Sequence, residues 1–516
     1  MSQRLRAGFA ELVVRCLAIC AVSACGDKGS RPDAAPPSEI QYRYLKASNT
    51  GTFDFFGRAI ALSADGSTLA VGAPGEASAA TGIGGDEAGN GARNAGAVYV
   101  FTRSGSSWTQ QAYLKASNAG IGDRFGDSLA ISADGATLAV GAPNESSDAV
   151  GVNGNQANDA APSAGAAYVF TRAGGAWTQQ AYLKASNTAA SDLFGSSVAL
   201  SNNGSTLAVG AYQEASAATG INGDQTSDAA TQAGAAYVFT RSGLAWSQQA
   251  YVKASNTRPL AFFGSSVALS GDGARLAVAA RLESSNAVGV NGDQADTSAM
   301  QAGAVYVFAR SGASWTQEAY VKPSNTGAGD RFGTSLAFSN DGSILAASAD
   351  REDSAAAGVG GNQLDNGALD AGAAYVFTRS GATWTQQAYV KPSNTGADDA
   401  FGTSLALAAD GSTLAIGAHQ ESSAAVGVDG DSFDNSALQA GAVYVFTRAG
   451  ASWRQRSYVK ASHSAAFDEF GISVALSADG ALLAAGAHTE SSSATGIGGD
   501  ELNDLAPQSG AVYLVQ

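Results

Sequence analysis

One interval governs this chain. The dipeptide Phe-Gly begins at Phe56, Phe125, Phe194, Phe263, Phe332, Phe401 and Phe470, always 69 residues apart. Lysines keep the same step, at Lys46, Lys115, Lys184, Lys253, Lys322, Lys391 and Lys460. So do all six tryptophans, Trp108, Trp177, Trp246, Trp315, Trp384 and Trp453. A fixed period means one supersecondary unit copied and stacked, because a single copy cannot bury its own apolar face. It overrides the several independent domains that a length of 516 residues would otherwise suggest.

Residues 194–257 show the strands within one period. Phe194–Ser201 alternates small or polar with apolar residues (strand A), and Asn202-Asn203-Gly204 is a hairpin turn. Thr206–Ala211 is an apolar run (strand B), followed by a loop of about 20 residues rich in Ser, Ala, Gly and Asp. Ala235–Thr240 (strand C), the turn Arg241-Ser242-Gly243 and Trp246–Lys253 (strand D) complete the unit. Four antiparallel strands, seven times, with no helical period, predict an all-β, seven-bladed β-propeller. The chain ends on Val512–Gln516, which matches strand C, while Tyr42–Lys46 matches strand D with nothing before it. The N-terminal strand is therefore expected to complete the last blade and leave no long unpaired edge.

Phe-Gly at the start of strand A and Gly-Ala-Pro at the end of strand B (Gly72-Ala73-Pro74, Gly141-Ala142-Pro143) resemble the FG-GAP repeat of integrin alpha chains and bacterial surface proteins. The resemblance covers residues 40–516. It implies a seven-bladed propeller that binds proteins or surfaces outside the cell. Integrin-type blades often carry an Asp-x-Asp-x-Asp-Gly calcium loop between strands A and B. Here that turn is only Ser63-Ala64-Asp65-Gly66 or its equivalents, and one carboxylate cannot supply the six to eight oxygens that calcium takes.

The N-terminus reads as a processing signal. Arg4 and Arg6 precede an apolar run, Leu17–Val22, which ends in small residues, so residues 1–24 are expected to be a signal peptide. Val22-Ser23-Ala24-Cys25 resembles the lipobox of bacterial lipoproteins, which implies lipidation at Cys25. The alternative is a secreted chain with an accidental cysteine. All three cysteines (Cys16, Cys20, Cys25) lie here, so the body carries no thiol chemistry. Residues 25–39, polar and Pro-rich, read as a flexible tether to the propeller at 40–516. Gly26, where retained lipoproteins often have Asp, favours the outer membrane or cell surface. A formal net charge of −16 argues against a nucleic-acid partner, and no apolar run is long enough to span a bilayer.

Strand direction places the B–C and D–A loops at one end of the ring, the top, which the resemblance makes the ligand face. Each B–C loop carries a Glu (Glu76, Glu145, Glu214, Glu283, Glu352, Glu421, Glu490) and then Gly-[Ile/Val]-x-Gly-[Asp/Asn]. Glu145, Asn155 and Asp159; Glu214, Asp224 and Asp228; Glu283, Asp293 and Asp296; and Glu421, Asp431 and Asp434 are candidate Ca²⁺ ligands. The competing reading is turn chemistry, with Asp and Asn tying down their own backbone. The D–A loops add Asp54, Asp123, Asp192, Asp330, Asp399 and Asp468, a series that Ala261 breaks. The top is expected to be strongly electronegative.

Deviations from the repeat also inform. The residue after strand B reads Pro74, Pro143, Tyr212, Arg281, Asp350, His419 and His488. Tyr212, Arg281, Asp350, His419 and His488 are a candidate ligand rim, or else drift at an exposed edge. The periodic aromatics are expected to fill the space between blades. The lysine row is expected to be an exposed charge on the outer strand that discourages edge pairing. Three histidines without Ser, Cys or metal-ligand partners at recognisable spacing give no catalytic constellation. Two functions remain: a lipid-anchored binding or adhesion module for a protein or surface ligand, or a structural scaffold of an envelope complex. Either is expected to be a monomeric ring.

Overall fold

A computed structural model describes residues 41–516. The expected signal peptide, Cys25 and the tether lie outside the described residues.

The repeat becomes seven four-stranded antiparallel sheets. Blades are numbered 1 to 7 along the chain and strands lettered A to D in the order of pairing. In blade 2 these are Ser128–Ile131, Thr137–Ala142, Ala166–Ala173 and Ala176–Leu183. Strand A of each blade touches strand A of the next, and blade 7 touches blade 1 in the same way, so strand A is innermost. The A–B hairpin closes on an Asx turn: Asp134 Oδ1 accepts from Ser132 Oγ at 2.5 Å and from the Ala136 amide at 2.9 Å.

Both faces of a blade are apolar, so the core consists of seven layers between blades rather than one centre. Between blades 1 and 2, Val98, Val100 and Leu114 meet Phe125, Val140 and Tyr168. Phe125 stands edge-on to Tyr168 and Phe170, with ring centroids 5.3 and 6.0 Å apart. Trp177 donates its Nε1–H to Gln111 of the preceding blade at 3.1 Å, and Arg172 lies 5.5 Å over its ring. The periodic aromatics are blade packing.

In blade 7 the fourth strand comes from the other end of the chain. Tyr42–Leu45 runs antiparallel to Ala511–Val515, with Tyr44 opposite Tyr513. The layer between blades 7 and 1 joins Leu482, Val512 and Leu514 to Phe56, Leu69 and Tyr99, as the other layers do.

A second tie between the first and last blades lies at the bottom. The amide of Ala64 donates to the Ala133 carbonyl, Ala133 to Asn202, Asn202 to Gly271, Gly271 to Asn340, Asn340 to Ala409, Ala409 to Ala478, and Ala478 back to Ala64, all at 2.8–3.0 Å. These seven main-chain hydrogen bonds form a closed circle with one direction. The circle borders a cavity of about 360 Å³ faced by Leu62, Ile131, Leu269, Phe338, Leu407 and Leu476. Sequence patterning gives no hint of it. The donors and acceptors are main-chain groups, and the column that carries them reads Ala, Asn or Gly.

Candidate functional site

The lysine row corrects the expectation of an exposed edge. All seven lysines are fully buried, and each is paired with the B–C glutamate of its own blade. Lys184 Nζ lies 2.8 Å from Glu145 Oε2. The other oxygen, Oε1, accepts from Tyr182 at 2.9 Å and from Asn118 Nδ2 at 2.9 Å. Asn118 belongs to the connection from the previous blade, and its Oδ1 accepts from Tyr168 at 2.7 Å. In blades 1 to 6 each unit therefore ties a B–C loop to strand D and to the incoming chain, while blade 7 has His463 in place of the Asn. Burial pulls the Lys184 ammonium below its usual pKa, while Glu145 pulls it back.

This network occupies the glutamates proposed as calcium ligands. Glu214 receives Lys253 at 2.7 Å, Tyr251 at 2.8 Å and Asn187 at 2.8 Å. Glu283 receives Lys322 at 3.2 Å and Asn256 at 3.2 Å. Glu421 receives Lys460 at 2.9 Å, Tyr458 at 3.0 Å and Asn394 at 3.2 Å. The remaining candidates sit apart on the loop surface. Asn155, Asp224, Asp293 and Asp431 each accept from the amide two residues on, at 2.8–3.0 Å. Asp296 and Asp434 do the same, at 2.9 and 3.1 Å, while Asp159 and Asp228 are exposed. Among the described residues no three carboxylate, imidazole or thiol groups stand together as a metal cluster. The donor set thus does not fit the six to eight free oxygens of a calcium site.

The D–A aspartates are buried beneath the loops. Asp123 Oδ2 accepts from the Gly120 amide at 2.7 Å. Burial pushes its carboxyl up to about 7, against that hydrogen bond, and Glu145 adds to the rise. Asp54, Asp192, Asp330, Asp399 and Asp468 are likewise raised to about 7 by burial. A carboxyl raised on folding stabilises the ring fully below its unfolded pKa near 4, and that contribution is lost as pH rises through about 7. His419 and His488, lowered by burial to about 4 and about 3, act in the opposite sense but are outnumbered. Stability by urea denaturation is therefore expected to fall between pH 5 and 7. Asp123→Asn is expected to reduce the slope by about one proton. A stability that rises with pH across this window would refute the assignment.

The expected rim converges on the mouth of the central channel. Arg281 lies 5.8 Å over the Tyr212 ring and 5.7 Å over Phe262. Asp350 Oδ1 accepts from Thr334 at 2.6 Å, and His419 Nδ1 is 2.8 Å from Thr403 Oγ1. His488 Nδ1 is 3.5 Å from Glu469. Reading only the column after strand B misses Arg58, Arg124, Asp127, Arg331 and Glu469, which flank Phe-Gly. Those two columns vary between repeats as widely as the rim column does, and that was the available signal. The residue before each Phe-Gly is left-handed in every blade, from Phe55 at φ 58° and Arg124 at 60° to Glu469 at 56°. Such backbone is costly for residues other than glycine.

At the centre of the expected electronegative face, arginines stand among the acids. Exposed acids occupy the loop surface, whereas Arg58, Arg124, Arg281 and Arg331 gather about the mouth. A cleft of about 400 Å³ opens there, lined by Arg58, Arg124, Asp127, Tyr212, Ser265 and Arg281.

The family model of the FG-GAP repeat matches residues 41–101, 108–170, 177–239, 246–308, 315–377 and 384–446. The chain belongs to the FG-GAP repeat family. The sequence matches none of the curated proteins compared with it. Among solved structures, FG-GAP blades of this chain resemble the periplasmic gluconolactonase PpgL of Pseudomonas aeruginosa at 13% identity and TM-score 0.45, covering 83% of this chain and 98% of that one. Hydrazine synthase of Kuenenia stuttgartiensis is similar at 12% identity and TM-score 0.45, over 86% of this chain and 94% of its own. Sqt1 of Saccharomyces cerevisiae is similar at 10% identity and TM-score 0.43, over 86% and 81%.

Proposed function

We propose that this FG-GAP chain is a non-enzymatic binding module of the cell envelope, anchored by lipid at Cys25 and presenting the top of its ring to a protein or surface ligand. The supporting observation is where the repetition breaks. The Lys–Glu pair recurs in every blade, and an Asn joins it in blades 1 to 6, because each blade needs it to hold its loops. The mouth columns accept Pro, Tyr, Arg, Asp or His within one fold, so packing does not dictate them. Five kinds of residue at seven equivalent places turn a symmetric ring into a directional surface.

The test is a crosslinked pull-down from envelope extracts with the full chain, with and without calcium. Substituting Tyr212, Arg281 and His419 by Ala together is expected to abolish capture while leaving the melting temperature within a few degrees. Unchanged capture of stoichiometric envelope partners by that variant would instead favour a scaffold that uses other surfaces.

A further inference from the structure

We infer that the cleft at the channel mouth binds a small organic dianion, a compact molecule carrying two carboxylate or phosphate groups. The inference deepens the binding reading above and rests on the mouth being the ligand face. Three guanidiniums, Arg58, Arg124 and Arg281, line the cleft against one carboxylate, Asp127. That carboxylate is engaged by Arg124 at 2.8 Å. Among the described residues, Arg58 and Arg281 join no ion pair, and Arg281 Nε is buried without a hydrogen-bond partner. Within the cleft lining neither Arg58 nor Arg281 is paired with a carboxylate, and Glu469, outside that lining, feels the charge of Arg58.

Their geometry suits oxyanions. The Arg281 plane rests on Tyr212 and Phe262, which fixes its orientation. A planar guanidinium held this way presents paired N–H groups that match carboxylate or phosphate oxygens. Arg58 and Arg281 come from blades 1 and 4, so their charges face one cleft from separate blades, as a ligand with two anionic groups requires. The volume of about 400 Å³ suits a small molecule. The surroundings register the same field: Arg58 opposes protonation of both His419 and His488, adding to the effect of their burial.

Isothermal titration calorimetry on the full chain at pH 7 tests this with two probes, succinate for carboxylates and pyrophosphate for phosphates. Saturable 1:1 binding of at least one is expected, and the preferred probe identifies the anionic group. Arg58→Gln and Arg281→Gln should each weaken it at least about tenfold. Arg454→Gln, exposed on an outer strand, should leave it unchanged. Arg281→Lys, which keeps the charge but loses the fork, should fall between. Absence of saturable binding by both probes would overturn the inference, as would equal weakening by Arg454→Gln or no effect of Arg58→Gln. If neither probe binds yet capture from extracts still depends on the rim, this inference falls and the binding module stands. If a probe binds and capture ignores the rim, the reverse holds.

Discussion

Lys46→Met is expected to destabilise the ring by about 3–5 kcal/mol, because it leaves Glu490 buried without its cation. Lys46 Nζ lies 2.7 Å from Glu490 Oε2 and 2.7 Å from Ser509 Oγ, across 444 residues of sequence for the glutamate. Tyr44, from the same strand, donates to Glu490 Oε1 at 2.9 Å. This is the one copy of the network whose strand D is not continuous with strand C of its own blade, so it holds the joint of the ring. Denaturant unfolding of Lys46→Met, Glu490→Met and the double variant measures it. The double variant should recover much of the loss, since an apolar pair of similar volume is often as stable as a buried ion pair. Removing residues 40–47 should be more damaging still, while removing residues 26–35 should not alter the melting temperature of the ring. Equal melting temperatures for the two truncations would show that the closing strand contributes nothing.

Gly141→Val should be the most severe single substitution in a blade interior, with a loss of about 3 kcal/mol or more. A Cβ at Gly141 would stand 2.0 Å from the Gly195 carbonyl oxygen and 2.3 Å from Ser128 Oγ. Backbone cannot yield as a flexible side chain can. Gly72 meets Gly126 at 2.0 Å in the same way, Gly210 meets Gly264 at 2.0 Å, and Gly417 meets Gly471 at 1.9 Å. The two glycines of the FG-GAP pattern are thus the two sides of one contact between neighbouring blades. Blades 4 and 5 carry Ala279 and Ser348 instead, and strand A of blade 5 begins only at Leu336. Ala279→Gly should therefore cost no more than about 1 kcal/mol. A folded Gly141→Val of native stability, by the same denaturant series, would show that the contact can open.

The lysines show where sequence reasoning stopped and why. Lys184 and Glu145 recur at the same period, 39 residues apart in every blade that is continuous in sequence. Two invariant opposite charges in step were the legible signal of a pair. The lysine stands at the end of the outermost strand, where side chains usually meet water. In the structure the B–C loop folds back over the end of that strand and covers it, and the loop path is not written in strand alternation. The same fold-back commits the glutamates to lysines rather than to a metal ion, so the carboxylate spacing of the B–C loops describes an internal network. Turn chemistry was read more directly, because an Asx turn involves only residues two apart. The rim was half legible: variation among repeats marked one column, but bringing it together with the residues flanking Phe-Gly needs the curvature of the ring.

The 69-residue period determined the blade, the number of blades and the shared last sheet, because strand pairing follows from alternation and turn residues that are local in sequence. Tertiary structure alone decided which charges meet water and which are sealed. It also decided that seven main-chain hydrogen bonds close a circle at the bottom and that four arginines gather at the top. Those outcomes depend on how sheets wrap about an axis, and distances across that axis are set by packing between residues far apart in the chain.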